Sequence, residues 1–419
     1  MNLFFLGYKS LRSRLFTVLL ILATIAISTA LLLGVERIQQ SARSSFTNTV
    51  SGVDLLVGAR SGPIPLLLYS VFRIGNASNN ITWESYQEFA NRPGVAWTIP
   101  LSLGDSHRGY RVLGTSKDYF EYYRVGRERK LEFSQGKPFE NLLDVVLGAE
   151  VAKSLEYRLG NSLVISHGLG STSFSDHEDK PFTVSGILKP TGTPVDRTIH
   201  VSLAAIEAIH IGWEQGVKIP GTQRSINRIR PKELEPKAIT AFLVGLENRI
   251  RVFKLQREIN DYRQEPLLAI LPGVALQELW GFMSVAERAL WVVSLFVVLA
   301  GFFGMIAVSL AGLNERRREI AIYRAVGAGS RHICTLLIVE AMILTVVGIL
   351  TGILVLTIGL FAAQGFMETR FGLYVAISPP TIAELRVILG LLIIGLVSGM
   401  VPALVAYRNT LNDGLSARI

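Results

Sequence analysis

The chain has 419 residues, 18% charged and 49% hydrophobic, with 42 Lys and Arg against 33 Asp and Glu. Soluble domains carry about 25% charged residues. The shortfall, with a mean hydropathy of +0.38, argues against intrinsic disorder and against nucleic acid as the reason for a pI near 9.6. The single cysteine, Cys334, excludes an intrachain disulfide framework and a multi-cysteine metal cage.

In chain order, residues 1–15 form a short basic segment with Lys9, Arg12 and Arg14 and no acid. An uncharged run follows from Phe16 to Gly34, the first of four. It exceeds the about 7–15 apolar residues of a signal-peptide core and ends without a small-x-small cleavage pattern, so it reads as a retained anchor. The later runs are Ala289–Leu313, Ile333–Ala363 and Val387–Tyr407, and only Glu340 interrupts them with a charge. A bilayer core about 30 Å thick takes roughly 20 helical residues. Four spanning helices are expected, at 16–34, 286–313, 333–363 and 387–407.

Basic residues set the orientation. The link 314–332 carries Arg316, Arg317, Arg318, Arg324 and Arg331 against Glu315 and Glu319. The tail 408–419 has Arg408 and Arg418 against Asp413, whereas the link 364–386 balances two acids with two bases. The positive-inside rule then puts both termini and the 314–332 link in the cytoplasm. Residues 35–285 lie outside, and 364–386 form a short outer loop.

The outer segment is long enough to bury its own core. Helices are expected at 82–91, 149–157, 203–210 and 250–262, with Thr82 as a candidate N-cap and Glu84 in the first turn. Strands are expected at 95–103, 110–114, 145–147, 162–166, 182–188, 198–202 and 241–246. The mixture predicts a large α+β domain between the first and second spans. The Gly- and Pro-punctuated stretch 52–80 reads as a buried strand and turn, with a membrane-hugging segment or groove lining as the alternative. Loops are expected at 168–180 and 220–236.

The 314–332 link predicts a short amphipathic helix. Ile320, Tyr323 and Arg324 share one face, as do Arg317, Ala321 and Arg324, and Gly327 and Gly329 permit a reversal. On residue types alone it serves equally as a positive-inside anchor or a docking helix. Gly348-x-x-x-Gly352 and Gly395-x-x-x-Gly399 allow close helix approach. They pack the third and fourth spans together or, alternatively, line a dimer seam. Glu340 lies about two turns from the cytoplasmic end, with Arg331 or a snorkelling position as its expected account.

Sites of covalent chemistry are not apparent. The sequence contains no G-x-x-x-x-G-K-[ST], G-x-S-x-G or H-E-x-x-H. Five histidines fall outside, and 176–179 (Asp-His-Glu-Asp) carries metal-ligand types, but no two histidines are closely spaced. A solvated loop tip is the expected reading, and no metal is assigned. Asn76-Ala77-Ser78 and Asn80-Ile81-Thr82 fit glycosylation sequons, which mean nothing in a bacterial envelope.

The link resembles the coupling helix of FtsX-like permeases, the MacB/LolC/LolE group of ABC transporters. Glu315, Arg316, Glu319, Ile320, Ile322, Arg324, Ala325, Gly327 and Ala328 match the family pattern, while Ala321 stands where Gly is usual. The layout also resembles the family: one anchor helix, a large outer domain, three closing helices and a short tail. Leu147-Gly148-Ala149-Glu150, Gly160-Asn161 and 184–188 resemble its outer domain, with Asn161 in place of the usual Asp. Residues 402–408 resemble its Pro-Ala-x-x-Ala ending.

The resemblance implies a homodimeric or pseudo-dimeric inner-membrane permease docked on two copies of an ABC ATPase. Glu315, Arg316, Arg317, Glu319 and Arg324 would make polar contacts there, Ile320 and Ile322 would pack, and Gly327 and Ala328 would end the helix. This chain would bind no cofactor, with ATP and Mg on the ATPase. Its cargo would be a lipoprotein, peptide, lipid or amphipathic compound, and a periplasmic or outer-membrane partner would be added. The alternatives are an FtsX-like mechanotransmitter and a membrane-anchored metal protein.

Overall fold

A computed structural model describes residues 15–49, 51–126, 128–167, 180–211, 213–214, 217–218, 229–315, 320, 322, 324–371 and 379–412. The helices in chain order are α1 (Leu15–Thr49), α2 (Pro63–Ser70), α3 (Trp83–Ala90), α4 (Asp118–Tyr122) and α5 (Ala149–Ser154). They continue as α6 (Leu203–His210), α7 (Val252–Asn260), α8 (Pro272–Glu315), α9 (Ser330–Phe371) and α10 (Ile382–Asn412). The chain divides into two compact units, residues 1–41 with 284–419, and residues 42–283.

Four helical stretches are long and apolar enough to cross a membrane: Val18–Ser41, Pro272–Leu313, Ser330–Gln364 and Ile382–Arg408. Their most apolar windows have mean hydropathy of 2.5–2.6, yet only 28–39% of each is buried within the chain. Water-exposed apolar area costs roughly 25 cal/mol per Å². Such surface needs a lipid or protein environment.

The helices themselves outrun the apolar spans. α1 continues past Gly34 to Thr49, α8 begins at Pro272 rather than near 286, and α9 continues to Phe371. Hydropathy marks what bilayer can cover. Helix propensity decides where the hydrogen-bond ladder stops, and nothing between Val35 and Thr49 breaks it. Residues 1–14 lie outside the described set.

The helical unit packs on small residues. Ile21, Ile25, Val298, Phe302, Met305, Ala341, Leu344, Ile349 and Leu391 form its core. The hydroxyls of Thr29 and Thr345 return to the carbonyls of Ile25 and Ala341, each at 2.8 Å. That bond satisfies a polar group that an apolar interior would otherwise penalise.

The second unit is built on a mixed sheet. Its main strands are β1 (Leu55–Ala59), β2 (Val95–His107), β3 (Tyr110–Thr115), β4 (Phe133–Gly136) and β5 (Asp144–Leu147). β6 (Phe182–Leu188), β7 (Thr198–Ser202), β8 (Ala241–Leu246) and β9 (Leu267–Ile270) complete it. The order is β9-β1-β8-β2-β3-β7-β5-β6-β4, with two short strands, Ser162–Leu163 and Ser166–His167, joining β6 and β2. β5 runs parallel to β6 and β3 parallel to β7; the other pairs in this order are antiparallel. Strands and helices both contribute to the core, as the α+β expectation requires.

Local rules account for much of this. Thr82 caps α3, its Oγ1 accepting from the Ser85 amide at 3.3 Å, and Ser202 caps α6 in the same way. The 52–80 stretch is buried, with β1 wholly inside, but its Pro-rich part is helix α2 rather than a turn. Pro63 starts that helix, where a missing N–H costs nothing. α5 stops at Ser154 rather than Tyr157, because the chain turns left-handed at Glu156.

The quoted outer-domain motif is an assembly of turns. A Cβ on Gly148 would overlap the backbone of Val195 and Asp196, so only glycine fits. The Gly160 amide donates to Val184 O, and the Val184 amide donates to Asn161 O, both at 2.9 Å. The Asn161 side chain accepts from the Arg158 amide at 2.7 Å, a role its carbonyl fills as well as a carboxylate would.

Candidate functional site

The link between α8 and α9 is described at Ile320, Ile322 and from Arg324 onward. Residues 320, 322, 324 and 325 are helical, and the helix ends in a turn at Gly327, whose φ is +97°. Left-handed backbone is where glycine is favoured, so Gly327 ends the helix for the reason its residue type suggests. Arg324 is exposed, Ala328 is half-buried, and Ile322 is 55% exposed.

The two isoleucines separate. Ile320 packs against a cluster of Leu313, Ile333, Leu337, Ala403 and Ala406 in its own chain. Only Ile322 of the pair is left on the surface, and Val326, at 77% exposure, joins it. Exposed apolar side chains three and four apart on one short helix make a docking ridge. Val326 was not anticipated, although its i+4 spacing from Ile322 was readable. Arg316, Arg317 and Glu319 lie outside the described residues, as does the side chain of Glu315.

The four glycines make two seams. A Cβ on Gly395 would come within 2.6 Å of Thr345 Cγ2, and one on Gly399 within 2.7 Å of Ala341 Cβ. Those contacts join α10 to α9. Gly348 and Gly352 instead face α1: a Cβ there would come within 2.6 Å of Ile25 Cγ2 and of Ala26 O respectively. The expectation that all four join the third and fourth spans is corrected for this pair. All these contacts are within one chain rather than across a dimer seam.

Arg37 and Glu384 form an ion pair that the sequence reading did not foresee. Arg37 Nε donates to Glu384 Oε1 at 2.5 Å and Nη2 to Oε2 at 3.3 Å, with the carboxylate side chain 1% exposed. The same carboxylate accepts from the Thr381 amide at 2.9 Å, while Thr381 Oγ1 accepts from the Glu384 amide at 3.3 Å. Thr381-x-x-Glu384 is thus a capping box opening α10. That spacing is a local signal. Its partner 347 residues away has none.

Glu340 lines a small cavity with Ser309, Gly312, Leu337 and Pro402. It faces the second and fourth helices, so Arg331 on its own helix is not required to explain its position.

In the outer domain the histidines are dispersed. His107 contacts Val164 O through Nδ1 and Tyr157 Oη through Nε2, at 2.5 and 2.9 Å. His210 Nε2 is 3.8 Å from Asp105 Oδ1. Among the described residues no group of three or more His, Cys, Asp or Glu could hold a metal ion. Residues 176–179 lie outside the described set.

His200 is wholly buried beside Tyr119, with ring centroids 5.1 Å apart, and Tyr119 stacks on Tyr123 at 4.7 Å. Burial, with the Arg73 charge adding, takes the His200 imidazole down to about 3, against an upward pull from its bond to Val146 O. Burial likewise pushes the Tyr119 phenol up to about 12. Above pH 6.5 the imidazole is neutral in both folded and unfolded chains. Below it only the unfolded chain takes up the proton, so stability falls as pH drops from about 6.5 towards about 3, at up to about 1.4 kcal/mol per unit. His200→Phe is expected to flatten that slope in thermal melts of the full chain. An unchanged pH profile would dissociate His200 from it.

Residues 15–261 match the MacB-like periplasmic core domain, and residues 291–411 match the FtsX-like permease C-terminal family. The chain belongs to the MacB-like family of ABC transporter permeases. It is 32% identical over 373 residues to the macrolide export ATP-binding/permease protein MacB of Nitrosomonas europaea, covering 84% of this chain and 50% of that protein. It is 26% identical over 283 residues to the pyoverdine export ATP-binding/permease protein PvdT of Pseudomonas savastanoi pv. phaseolicola, covering 63% and 39%. The chain therefore spans about half or less of the length of these curated relatives. A solved structure of the periplasmic region of MacB from Actinobacillus actinomycetemcomitans is similar at 11% identity and a TM-score of 0.35, covering 56% of this chain and 97% of that one.

The two matched stretches follow the permease's own layout. The first takes in α1 and most of the outer domain, and the second runs from within α8 to the end of α10. Four candidate spanning helices with a large periplasmic-type domain between the first and second make it a multi-pass membrane protein.

Proposed function

We propose that this permease works in a bacterial inner membrane as one half of a homodimer docked on two ABC ATPase subunits. ATP and Mg reside on those subunits, and this chain carries no catalytic residue. The outer domain lies in the periplasm, where it extracts or exports an envelope substrate: a lipoprotein, peptide, lipid or amphipathic compound. The observation that carries the reading is the exposed face of the α8–α9 link. Arg324 offers a guanidinium and Ile322 an apolar knob on one short helix, closed by the Gly327 turn. With Glu315, Arg316, Arg317 and Glu319 beside them in sequence, these residues supply both the charge and the apolar contact that a groove in an ATPase needs.

The export names of both relatives favour transport over mechanotransmission. In a bacterial periplasm a further periplasmic or outer-membrane partner would complete the path. Co-purification with the ATPase tests the assembly: Arg324→Glu is expected to lower recovery of the ATPase at least tenfold while the permease itself stays folded. Full recovery with that variant would remove the link as the docking element.

A further inference from the structure

We propose that a cleft in the outer domain binds a small anionic ligand, holding its carboxylate or phosphate oxygens between Arg73 and Arg111. The cleft has a volume of about 370 Å³ and is lined by these two arginines with Tyr69, Asn76, Asn80 and Gly104. Small-molecule sites begin at about 300 Å³.

Its two charges are uncompensated. Arg111 Nη2 donates to Gly75 O at 2.6 Å and to Asn76 Oδ1 at 3.0 Å, both neutral acceptors. Burial first, and then the nearby charge of Arg73, pull the Arg111 guanidinium below its usual range. Arg73 Nε and Nη1 are buried without a hydrogen-bond partner. Among the described residues lining the cleft there is no carboxylate. Two guanidiniums facing one space repel each other, and an oxyanion between them reverses the sign of that interaction.

The backbone holds this arrangement in place. The Ile74 amide donates to Leu68 O at 3.0 Å, closing the end of α2, and this puts Arg73 in left-handed backbone at φ +61°. Glycine is the usual occupant of that position. An arginine there has no local conformational reason, which leaves its side chain as the reason. Opposite it, the β2–β3 pairing shifts register between Leu103 and Ser106. Such irregularities re-aim side chains and recur beside binding sites. A Cβ on Gly104 would meet open space.

Neutral lining from Tyr69, Asn76 and Asn80 supplies hydroxyl and amide groups to orient the rest of the ligand. The cleft stands independently of coupling to an ATPase, because binding there needs no partner.

Two variants separate charge from folding. Arg73→Gly removes the guanidinium and suits the left-handed backbone, so it should fold at least as stably as the wild type. Gly104→Trp keeps both charges and fills the cleft. Calorimetric titration of the full chain in neutral-lipid nanodiscs would use inorganic phosphate and succinate as probes. The wild type is expected to bind at least one of them saturably, and both variants to weaken that binding at least tenfold with thermal stability retained. The tighter probe assigns the oxyanion as phosphate or carboxylate. Absence of saturable binding by either probe, or variants that bind as well as the wild type, would overturn the proposal.

Discussion

Glu384→Ala is expected to destabilise the helical unit by about 3–5 kcal/mol, because it leaves the Arg37 guanidinium buried beside no counter-charge. Arg37 and Glu384 side chains are only 10% and 1% exposed. The variant also removes the acceptor for the Thr381 amide and so uncaps α10. Three controls divide the effect. Glu384→Gln keeps an acceptor for the cap and removes only the charge. Arg37→Leu alone leaves the carboxylate unpaired. The Arg37→Leu/Glu384→Leu pair removes both charges and should recover most of the loss, since apolar replacements of buried pairs are often neutral. Denaturant unfolding of the purified chain reads each difference. A Glu384→Ala midpoint equal to the wild type would show that the pair does no structural work.

The second large effect is expected at Gly352. A Cβ there would lie 2.6 Å from Ala26 O and 2.7 Å from Thr29 Cβ, so a side chain pushes α1 off α9. Backbone cannot rotate away as a side-chain tip can. Gly352→Leu is therefore expected to cost about 1–3 kcal/mol. Gly359 lies two turns on in the same helix, is exposed, and a Cβ there would meet nothing within 4 Å. Gly359→Leu should stay within about 0.5 kcal/mol of wild type. The same unfolding experiment compares them, and equal losses at both glycines would mean that helix propensity, rather than the seam, sets the response.

What was legible in the sequence followed the range of the interaction. Spanning segments are a one-dimensional property of hydropathy, so all four were readable, though their helices run on through polar residues. Caps are local too: Thr82, Ser202 and the Thr381-x-x-Glu384 spacing each act within one turn. Sheet order, by contrast, was not readable. The short strand Leu267–Ile270, set between Pro266 and Pro272, gives too few residues for any periodicity.

Pairings over long separations were missed for the same reason. Arg37 reads as one more polar residue after an apolar run, and only the folded chain brings it to Glu384. Gly348 and Gly352 announce a close approach without naming the neighbour, which is α1. Ile320 and Ile322 look equivalent in the link, yet only the structure shows that Ile320 is occupied by its own chain. Arg73 carried no signal at all, because a left-handed arginine is visible only as a backbone angle.

The central claim is that ATP hydrolysed on a partner subunit moves the outer domain through the α8–α9 link. Amide hydrogen exchange over residues 42–283 tests it most directly, on the full permease assembled with its ATPase in nanodiscs. The account predicts that adding ATP changes exchange within the outer domain of the wild-type assembly, and that the change is lost with Arg324→Glu. Identical exchange with and without ATP in the intact wild-type assembly would contradict it.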